Sequence, residues 1–236
     1  MKPDLSRRGF LEAAGTVVAV GAVAGVGTAN AAEKPAGGKV KIIGVCCSFR
    51  KGKTTVAAMQ ACLDAAKAAS PDVEVELIDL AGLKIPGGVA AGVPLEPGEK
   101  DDFPALAEKI GSPEVAGVIL GTPVYFGNMS SLCKAFLDRW MVFRRNNFAL
   151  SNKVGGALAV GGSRNGGQQL TIQSILAAML GQEMIVVGDG RPTAHIGGTL
   201  LNNGKDDISG DEFGLSTARN LGRRVAEVAV RVSRAG

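Results

Sequence analysis

The sequence predicts an α/β fold in which helices cover both faces of a parallel β-sheet. Short β-branched runs alternate with stretches that carry apolar residues at helical spacing, from residue 39 to residue 232. Regular alternation of strand and helix is typical of a parallel sheet with right-handed crossovers. Hydrophobic residues make up 46% of the 236-residue chain, which is ample for one core, and 34 glycines suit close packing of helices on a sheet.

Each strand is indicated by its own pattern. The β-branched run KVKIIGV at 39–45 predicts a buried strand. Residues 73–80, VEVELIDL, alternate apolar and charged side chains, as a strand near a sheet edge does. The uninterrupted apolar run VAGVIL at 115–120 predicts a central strand. Two further strands are predicted at 154–160 and 184–187.

The helices are predicted from apolar spacing and from the signals that end them. The first covers 54–69 and ends before Ser70-Pro71, which a helix does not readily cross. The last, at 213–232, is long and amphipathic. Between them, the Gly- and Pro-rich segment 81–100 predicts a long loop. The remaining predicted helices are 103–110, 131–143 and 168–180.

Five strands in this arrangement fit the spatial order 2-1-3-4-5. In such a sheet a ligand lies in the crevice outside the carboxyl ends of strands 1 and 3, where the chain order reverses. The loops that follow residues 45, 120 and 160 are therefore expected to form the functional site.

The first 31 residues resemble an export signal. Ser6-Arg7-Arg8-Gly9-Phe10-Leu11 resembles the twin-arginine motif, and a weakly apolar stretch at 13–28 and an A-x-A cleavage sequence at 29–31 follow it. The alternative is a retained membrane anchor, but a span requires ~20 apolar residues, more than this glycine-interrupted stretch contains. We therefore expect cleavage, no stable membrane insertion, and a periplasmic or otherwise exported protein. Residues 32–38 are expected to be a linker, and 39–236 one folded domain.

The loop after the first strand has the features of a phosphate site. Residues 46–55, CCSFRKGKTT, leave a strand and open a helix, whose N-terminal N–H groups and partial positive charge attract anions. A solvated basic turn is the alternative interpretation. The predicted phosphate ligands each carry a hydroxyl or a positive charge, and they are Ser48, Arg50, Lys53, Thr54 and Thr55.

A nucleoside triphosphate loop is a weaker interpretation of the same residues. Gly52-Lys53-Thr54 ends like the motif G-x-x-x-x-G-K-T, but the first glycine of that motif would fall at Cys47. The central strand also runs into Gly121-Thr122 and not into the acidic residue that such an enzyme needs.

The loops after the third and fourth strands complete the predicted crevice. Residues 121–131, GTPVYFGNMSS, hold the only tyrosine beside a phenylalanine, and either ring can pack on a flat heterocycle. Four glycines in residues 161–169 permit close backbone approach, and an arginine there can place positive charge near a ring that is being reduced. The alternatives are a strand–helix turn with core aromatics and a mobile surface loop. The predicted ring-lining residues are Pro123, Val124, Tyr125, Phe126, Gly127, Asn128, Gly162 and Arg164.

At these residues the chain resembles the NAD(P)H-dependent FMN reductase and iron–sulfur flavoprotein branch of the flavodoxin-like superfamily. The resemblance covers roughly residues 39–232. The run 47–54 resembles the family's FMN-phosphate loop, 122–139 resembles its flavin-ring loop and following helix, and 161–167 resembles the loop on the other side of the flavin. The resemblance implies a flavodoxin-like three-layer sandwich that binds FMN, with NAD(P)H as a candidate electron donor.

Two features depart from the family pattern. Iron–sulfur members carry clustered cysteines in the loop after strand 2, but residues 85–102 contain none, so we expect no iron–sulfur cluster there and no metal site. Cys47 stands where glycine is usual in the phosphate loop. The four cysteines form no C-x-x-C pair, and we expect buried free thiols, although an exported protein can also form disulfides.

The resemblance implies an FMN-dependent oxidoreductase that passes electrons from NAD(P)H to a small acceptor such as a quinone. Hydride transfer needs no acid–base side chain, so no catalytic residue is predicted, and the lone histidine, His195, is expected in an exposed loop. Nicotinamide cofactors are not expected in quantity outside the cytoplasm. An exported electron-transfer flavoprotein reduced by a protein or quinol donor is therefore the second hypothesis, and a binding module without FMN is the third.

Composition and family resemblance also indicate the partners. A net charge of +4 with no basic stripe, and only 4% aromatic residues, argue against nucleic acid. We expect a small-molecule electron acceptor or a redox partner protein. The resemblance further implies a homodimer or homotetramer.

Overall fold

The computed structural model describes residues 39–235, and one six-stranded parallel sheet organises them. The strands lie in the order β2-β1-β3-β4-β5, and the sixth strand also pairs with β4, so the predicted order 2-1-3-4-5 is confirmed. The predicted export signal and linker, residues 1–38, lie outside the described residues. The strands are β1 (Val40–Cys46), β2 (Val73–Asp79), β3 (Val115–Pro123), β4 (Val154–Gly161), β5 (Ile185–Val186) and β6 (Gly198–Leu201).

Helices cover both faces of this sheet and form two separate apolar cores. Strand side chains alternate between the faces, so that Ile42 packs in one core and the adjacent Ile43 in the other. The first and last helices share the core of Ile42, and the helices between them share the core of Ile43. The helices are α1 (Thr54–Ala68), α2 (Phe103–Gly111), α3 (Ser131–Asp138), α4 (Met141–Arg145), α5 (Gln168–Leu180) and α6 (Glu212–Ala235).

The predicted helix at 131–143 is two helices in the structure. The backbone ψ angles of Arg139 and Trp140 are −6° and −4°, which turns the chain between α3 and α4. Trp140 thereby packs edge-on between Phe136 and Phe143, with ring centroids 5.8 Å apart in each pair. Arg139 forms a paired hydrogen bond with Asp101 at the end of the long loop. The turn therefore serves both the core and an ion pair.

The fifth position of the sheet differs from the prediction. A single strand was expected at 184–187, whereas β5 spans two residues and pairs with the start of β4. The end of β4 pairs with β6, which the sequence analysis did not identify. Four residues, GTLL, that follow a glycine-rich polar segment are too few to show an alternating pattern.

The structure also bears on the predicted edge strand, on membrane spans and on the predicted long loop. β2 lies at the edge of the sheet and exposes part of its surface, as its alternating pattern predicted. Within residues 39–235, no helix is both long enough and apolar enough to cross a bilayer. A short 3-10 helix, Gly87–Ala91, interrupts the predicted loop after β2.

Gly222 permits the close contact between α1 and α6, and it provides a test of the packing. A Cβ atom at this position would lie 1.8 Å from the carbonyl oxygen of Cys62. Alanine favours a helix over glycine by about 1 kcal/mol, but overpacking against backbone costs more. We expect Gly222→Ala to lower the free energy of unfolding by about 2 kcal/mol in a denaturant titration.

Gly210→Ala is the matched control, because a Cβ atom there meets nothing within 4 Å. Equal stability of the two variants would contradict the helix packing described above.

Candidate functional site

The carboxyl ends of β1 and β3 bring the first two predicted loops into contact. The Cys47 amide donates to the Gly121 carbonyl over 2.7 Å. The Ser130 hydroxyl donates to the Cys47 carbonyl over 2.5 Å, and the Ser130 amide donates to the Thr122 hydroxyl over 3.0 Å. Ser130 is fully buried. The turn that follows β1 and the segment that follows β3 are therefore held together at one edge of the sheet.

The third loop joins the same edge. The Val124 amide donates to the Val160 carbonyl over 2.9 Å, which ties the loop after β3 to the end of β4. Gly167 has a φ of +99°, and a Cβ atom there would lie 2.6 Å from the Cα of Gly127. Only glycine fits this contact between the loops, because a side chain would clash with backbone.

The predicted phosphate loop, residues 46–55, forms a compact turn before α1. The Ser48 hydroxyl accepts a hydrogen bond from the Arg50 amide at 3.1 Å, and Gly52 adopts a φ of +68°. Ser48, Thr54 and Thr55 are all buried. Thr54 and Thr55 open α1, and Ser48 lies in the turn that precedes it.

The first turn of α1 has two features of an anion-binding site, a missing side-chain cap and no acidic residue. Lys53 occupies the N-cap position but no side chain caps the helix, and its first turn contains no acidic residue. By contrast, Ser130 caps α3 by accepting from the Cys133 amide at 3.1 Å. The first N–H groups of a helix have no partner within the helix, so those of α1 can bind an anion.

Two of the three cations of the loop already contact a carboxylate. Arg50 forms a hydrogen-bonded ion pair with Asp206, and the Lys53 Nζ lies 3.5 Å from Asp206 Oδ2. The Arg50 hydrogen bond is the main cause of the lowered pKa of Asp206, and the charges of Arg50 and Lys53 add to it. Asp206 lies in the loop between β6 and α6, a segment that the sequence analysis did not connect with the site.

The loop after β3 displays its aromatic side chains to solvent. Tyr125 and Asn128 exchange two backbone hydrogen bonds, of 2.9 and 3.0 Å, around a two-residue turn. Phe126 and Gly127 have φ angles of +49° and +74°, as in a type I′ turn. Tyr125 is about half exposed, at 49%, and Phe126 is fully exposed. The alternative in which these aromatics belong to the core is therefore wrong.

Phe126 adopts a strained backbone conformation. A left-handed conformation costs a non-glycine residue roughly 1–2 kcal/mol, and it is uncommon for a bulky side chain. Here the strained residue is also completely exposed, so core packing does not explain it. Strain of this kind is found where a side chain contacts a ligand. Pro123 and Val124 lie beneath the turn and are partly buried, while Asn128 is exposed and its side chain accepts from the Met129 amide at 2.8 Å.

In the third loop, Gly162 borders open space and the Arg164 side chain points toward α6. A Cβ atom on Gly162 would meet nothing within 4 Å. Arg164 pairs with the buried Asp211, whose carboxylate also accepts from the Gly214 amide of α6 at 3.0 Å. The Arg164 guanidinium lies 5.8 Å from the Phe213 ring centroid. Arg164 is thus held beside the start of the last helix.

His195 lies in the loop between β5 and β6, and it is partly buried and not exposed as the sequence analysis expected. Its side chain is one-third exposed, and its Nδ1 lies 3.6 Å from Oδ2 of the fully buried Asp189. The ring packs edge-on against Phe213, with centroids 5.6 Å apart. His195 therefore belongs to the outer edge of the sheet, with Phe213 and Arg164.

Comparison with known proteins identifies the family. A family model of NADPH-dependent FMN reductases matches residues 40–198. The chain belongs to this family. It is therefore an FMN-binding oxidoreductase of flavodoxin-like fold, and membership implies FMN and NAD(P)H as its cofactors.

Individual relatives agree with this assignment. An iron–sulfur flavoprotein of Methanocaldococcus jannaschii is 45% identical over 193 residues, which cover 80% of this chain and 97% of the relative. An NAD(P)H dehydrogenase (quinone) of Paracoccus denitrificans is 35% identical over 171 residues, or 62% of this chain and 77% of the relative. A WrbA-like flavodoxin of Agrobacterium tumefaciens shares the fold, with a TM-score of 0.54 at 18% identity over 82% of this chain and 98% of that one.

The cysteines of this FMN reductase homologue are arranged unlike the ligands of an iron–sulfur cluster. Cys46 and Cys62 lie in the core beneath α1 and α6, whereas Cys47 and Cys133 lie in the core on the other face of the sheet. All four are buried free thiols. Burial raises the pKa of Cys46, Cys47 and Cys62, which favours the protonated thiol over the thiolate that a metal needs. Four thiolates on opposite faces do not fit one cluster.

Ser130 offers a test of how the site is assembled. Removal of its hydroxyl leaves the Cys47 carbonyl and the Cys133 amide without their partner, and both atoms belong to buried residues. Loss of a helix cap and of a buried hydrogen bond each cost about 1 kcal/mol or more. We expect Ser130→Ala to lower the free energy of unfolding by about 2 kcal/mol, measured by urea denaturation.

Ser174→Ala provides the control, because the Ser174 hydroxyl donates only to the Leu170 carbonyl on an exposed face. An effect of Ser130→Ala no larger than that of Ser174→Ala would show that this link does not hold the loops together.

Proposed function

We propose that the phosphate of FMN binds at the N-terminus of α1 and that its ring lies against the turn after β3. The observation that carries this proposal is the uncapped first turn of α1, which follows β1, next to a loop with two exposed aromatic rings that Ser130 ties to the end of β1. An anion-binding helix end beside an aromatic surface matches a ligand with a phosphate at one end and a flat heterocycle at the other.

One group of residues binds the phosphate of FMN, and another lines its ring. Amides of the first turn of α1, with the hydroxyls of Ser48, Thr54 and Thr55, donate to the phosphate oxygens. Arg50 and Lys53 balance the phosphate charge. Pro123 through Asn128 line the ring, and Gly162 leaves room for it. Arg164 is placed at the rim of the crevice, where its charge is already paired with Asp211.

Bound FMN supplies the redox chemistry, since it accepts a hydride and passes electrons on one or two at a time. The side chains of the crevice bind and orient it, and the three loops restrict water at one side. No acid–base residue is needed for the hydride transfer itself, so we assign no catalytic side chain.

We further propose that NAD(P)H is the electron donor and that a small molecule such as a quinone is the acceptor. The relation to an NAD(P)H dehydrogenase (quinone) supports this choice. An exported electron-transfer flavoprotein, reduced by a protein or a quinol, is the alternative. Anaerobic stopped-flow mixing separates them: rapid bleaching of bound flavin by NADPH or NADH supports the reductase, and reduction by a protein donor alone supports the carrier.

The remaining proposals concern composition and location. We propose that the protein carries no iron–sulfur cluster, since its thiols lie on two faces of the sheet, and that it forms a homodimer or homotetramer. We also propose that residues 1–31 direct export by the twin-arginine pathway. Fractionation of cells that express the wild type and an Arg7→Lys, Arg8→Lys variant tests the export, which the paired lysines should abolish.

Arg50 provides the test of the phosphate assignment. Charge-assisted hydrogen bonds from arginine to phosphate are strong, so we expect Arg50→Met to weaken FMN binding about tenfold or more. Riboflavin lacks the phosphate, and its affinity should not change. Both affinities are measured by the quenching of flavin fluorescence on titration with apoprotein.

Lys51→Met is the matched control, because Lys51 is an exposed cation of the same turn that lies outside the proposed site. A parallel loss of FMN and riboflavin affinity in Arg50→Met, or an equal loss in Lys51→Met, would contradict the assignment of the phosphate to this turn.

A further inference from the structure

A carboxylate from another loop of the same chain pairs with cations of the predicted phosphate loop. The carboxylate of Asp206 contacts both Arg50 and Lys53, the two cations that the proposed function assigns to the FMN phosphate. All three side chains are between one-third and one-half exposed. The pairing is therefore accessible to solvent and to a dissolved ligand.

Asp206 is held there by a loop with anchors on both sides. The Asn202 amide donates to the Gly161 carbonyl over 2.8 Å, which fixes the start of the loop to the end of β4. Ile208 is buried in the core beneath α1 and α6 and fixes its end. Asp206 itself has a φ of +55°, a conformation that aspartate and asparagine tolerate better than other side chains. The loop thus presents one carboxylate to the two cations.

We propose that Asp206 is an internal competitor of the ligand phosphate for Arg50 and Lys53, and that it sets the affinity and charge selectivity of the site. This inference rests on the proposed function. Asp206 offsets about half of the charge of the two cations when no ligand is bound, and a bound phosphate requires the carboxylate to withdraw, because two anions on the same cations repel each other.

The balance of charges favours a strongly anionic ligand. A phosphate monoester carries about −1.5 to −2 charges at neutral pH, while a carboxylate carries one. The dianion therefore outcompetes Asp206, whereas a ligand with a weaker charge gains less. Asp206 would lower the affinity for every anion, so that only a strongly charged one still binds well, and it would leave uncharged flavins unaffected.

Asp206→Asn tests this competition without altering the left-handed backbone conformation. The variant removes the charge and keeps the size of the side chain. Each exposed ion pair is weak, but two pairs and the repulsion of the phosphate act together, so we expect FMN to bind about tenfold more tightly than to the wild type. Riboflavin affinity should stay unchanged, and the gain for FMN should shrink at high salt, because salt screens exposed charges.

Two controls distinguish competition from other effects. Asp207→Asn removes an adjacent charge that bonds to Ser209 and not to the cations, and it should change FMN affinity by less than about twofold. In an Arg50→Met background, Asp206→Asn should produce a smaller gain, because one of the contested cations is gone. An unchanged or weaker FMN affinity in Asp206→Asn, or an equal gain in Asp207→Asn, would overturn the proposal.

Inorganic pyrophosphate separates this proposal from the assignment of FMN. The probe is added to each apoprotein, and the rise in melting temperature is measured. A larger rise for Asp206→Asn than for the wild type supports competition at these cations even if neither protein binds FMN, in which case the proposed function alone would fail. Equal rises would overturn the competition.

Discussion

The hydroxyl of Ser130 donates to the Cys47 carbonyl and accepts from the Cys133 amide, and in doing so it joins the end of β1 to the start of α3. A parallel sheet brings the ends of adjacent strands to one edge, but it does not fix the loops that follow them. This buried hydrogen-bonded link fixes two of them. The uncapped end of α1 and the exposed turn of Tyr125 and Phe126 consequently follow the carboxyl ends of two paired strands, β1 and β3.

The helices that start at this edge differ in whether a side chain caps their first turn. α3 and α6 have side-chain caps from Ser130 and Asp211, each of which accepts from one amide of the first turn. α1 has none, and Asp206 offsets part of the positive charge that precedes it. A helix end without its own cap, with a removable counter-ion nearby, is suited to hold an anion reversibly.

The sequence was most informative where a pattern repeats along the chain. Alternation of strand and helix was sufficient for the sheet order, and the apolar run at 115–120 correctly predicted a central strand. β6 was missed because four residues carry too little pattern, and the break at Trp140 was missed because a core contact, not a helix-breaking residue, produces it. Local propensity does not report such tertiary effects.

The predicted site residues were found by their position after strands, and the structure places the three loops together. What the sequence could not provide was Asp206, which lies 156 residues from Arg50 along the chain. No local motif links two such positions, and only the path of the chain from β6 to α6 brings them into contact. Ser130 lies in a loop that the sequence assigned to the site, but its bond to Cys47, 83 residues away along the chain, depends on the fold.

The most direct measurement is a crystal structure of the protein grown with FMN. The account predicts phosphate density within hydrogen-bonding distance of the Thr54 and Thr55 amides, with the ring against residues 123–128 and the Asp206 carboxylate withdrawn from Arg50. A phosphate bound elsewhere, or FMN density away from the carboxyl ends of β1 and β3, would contradict it.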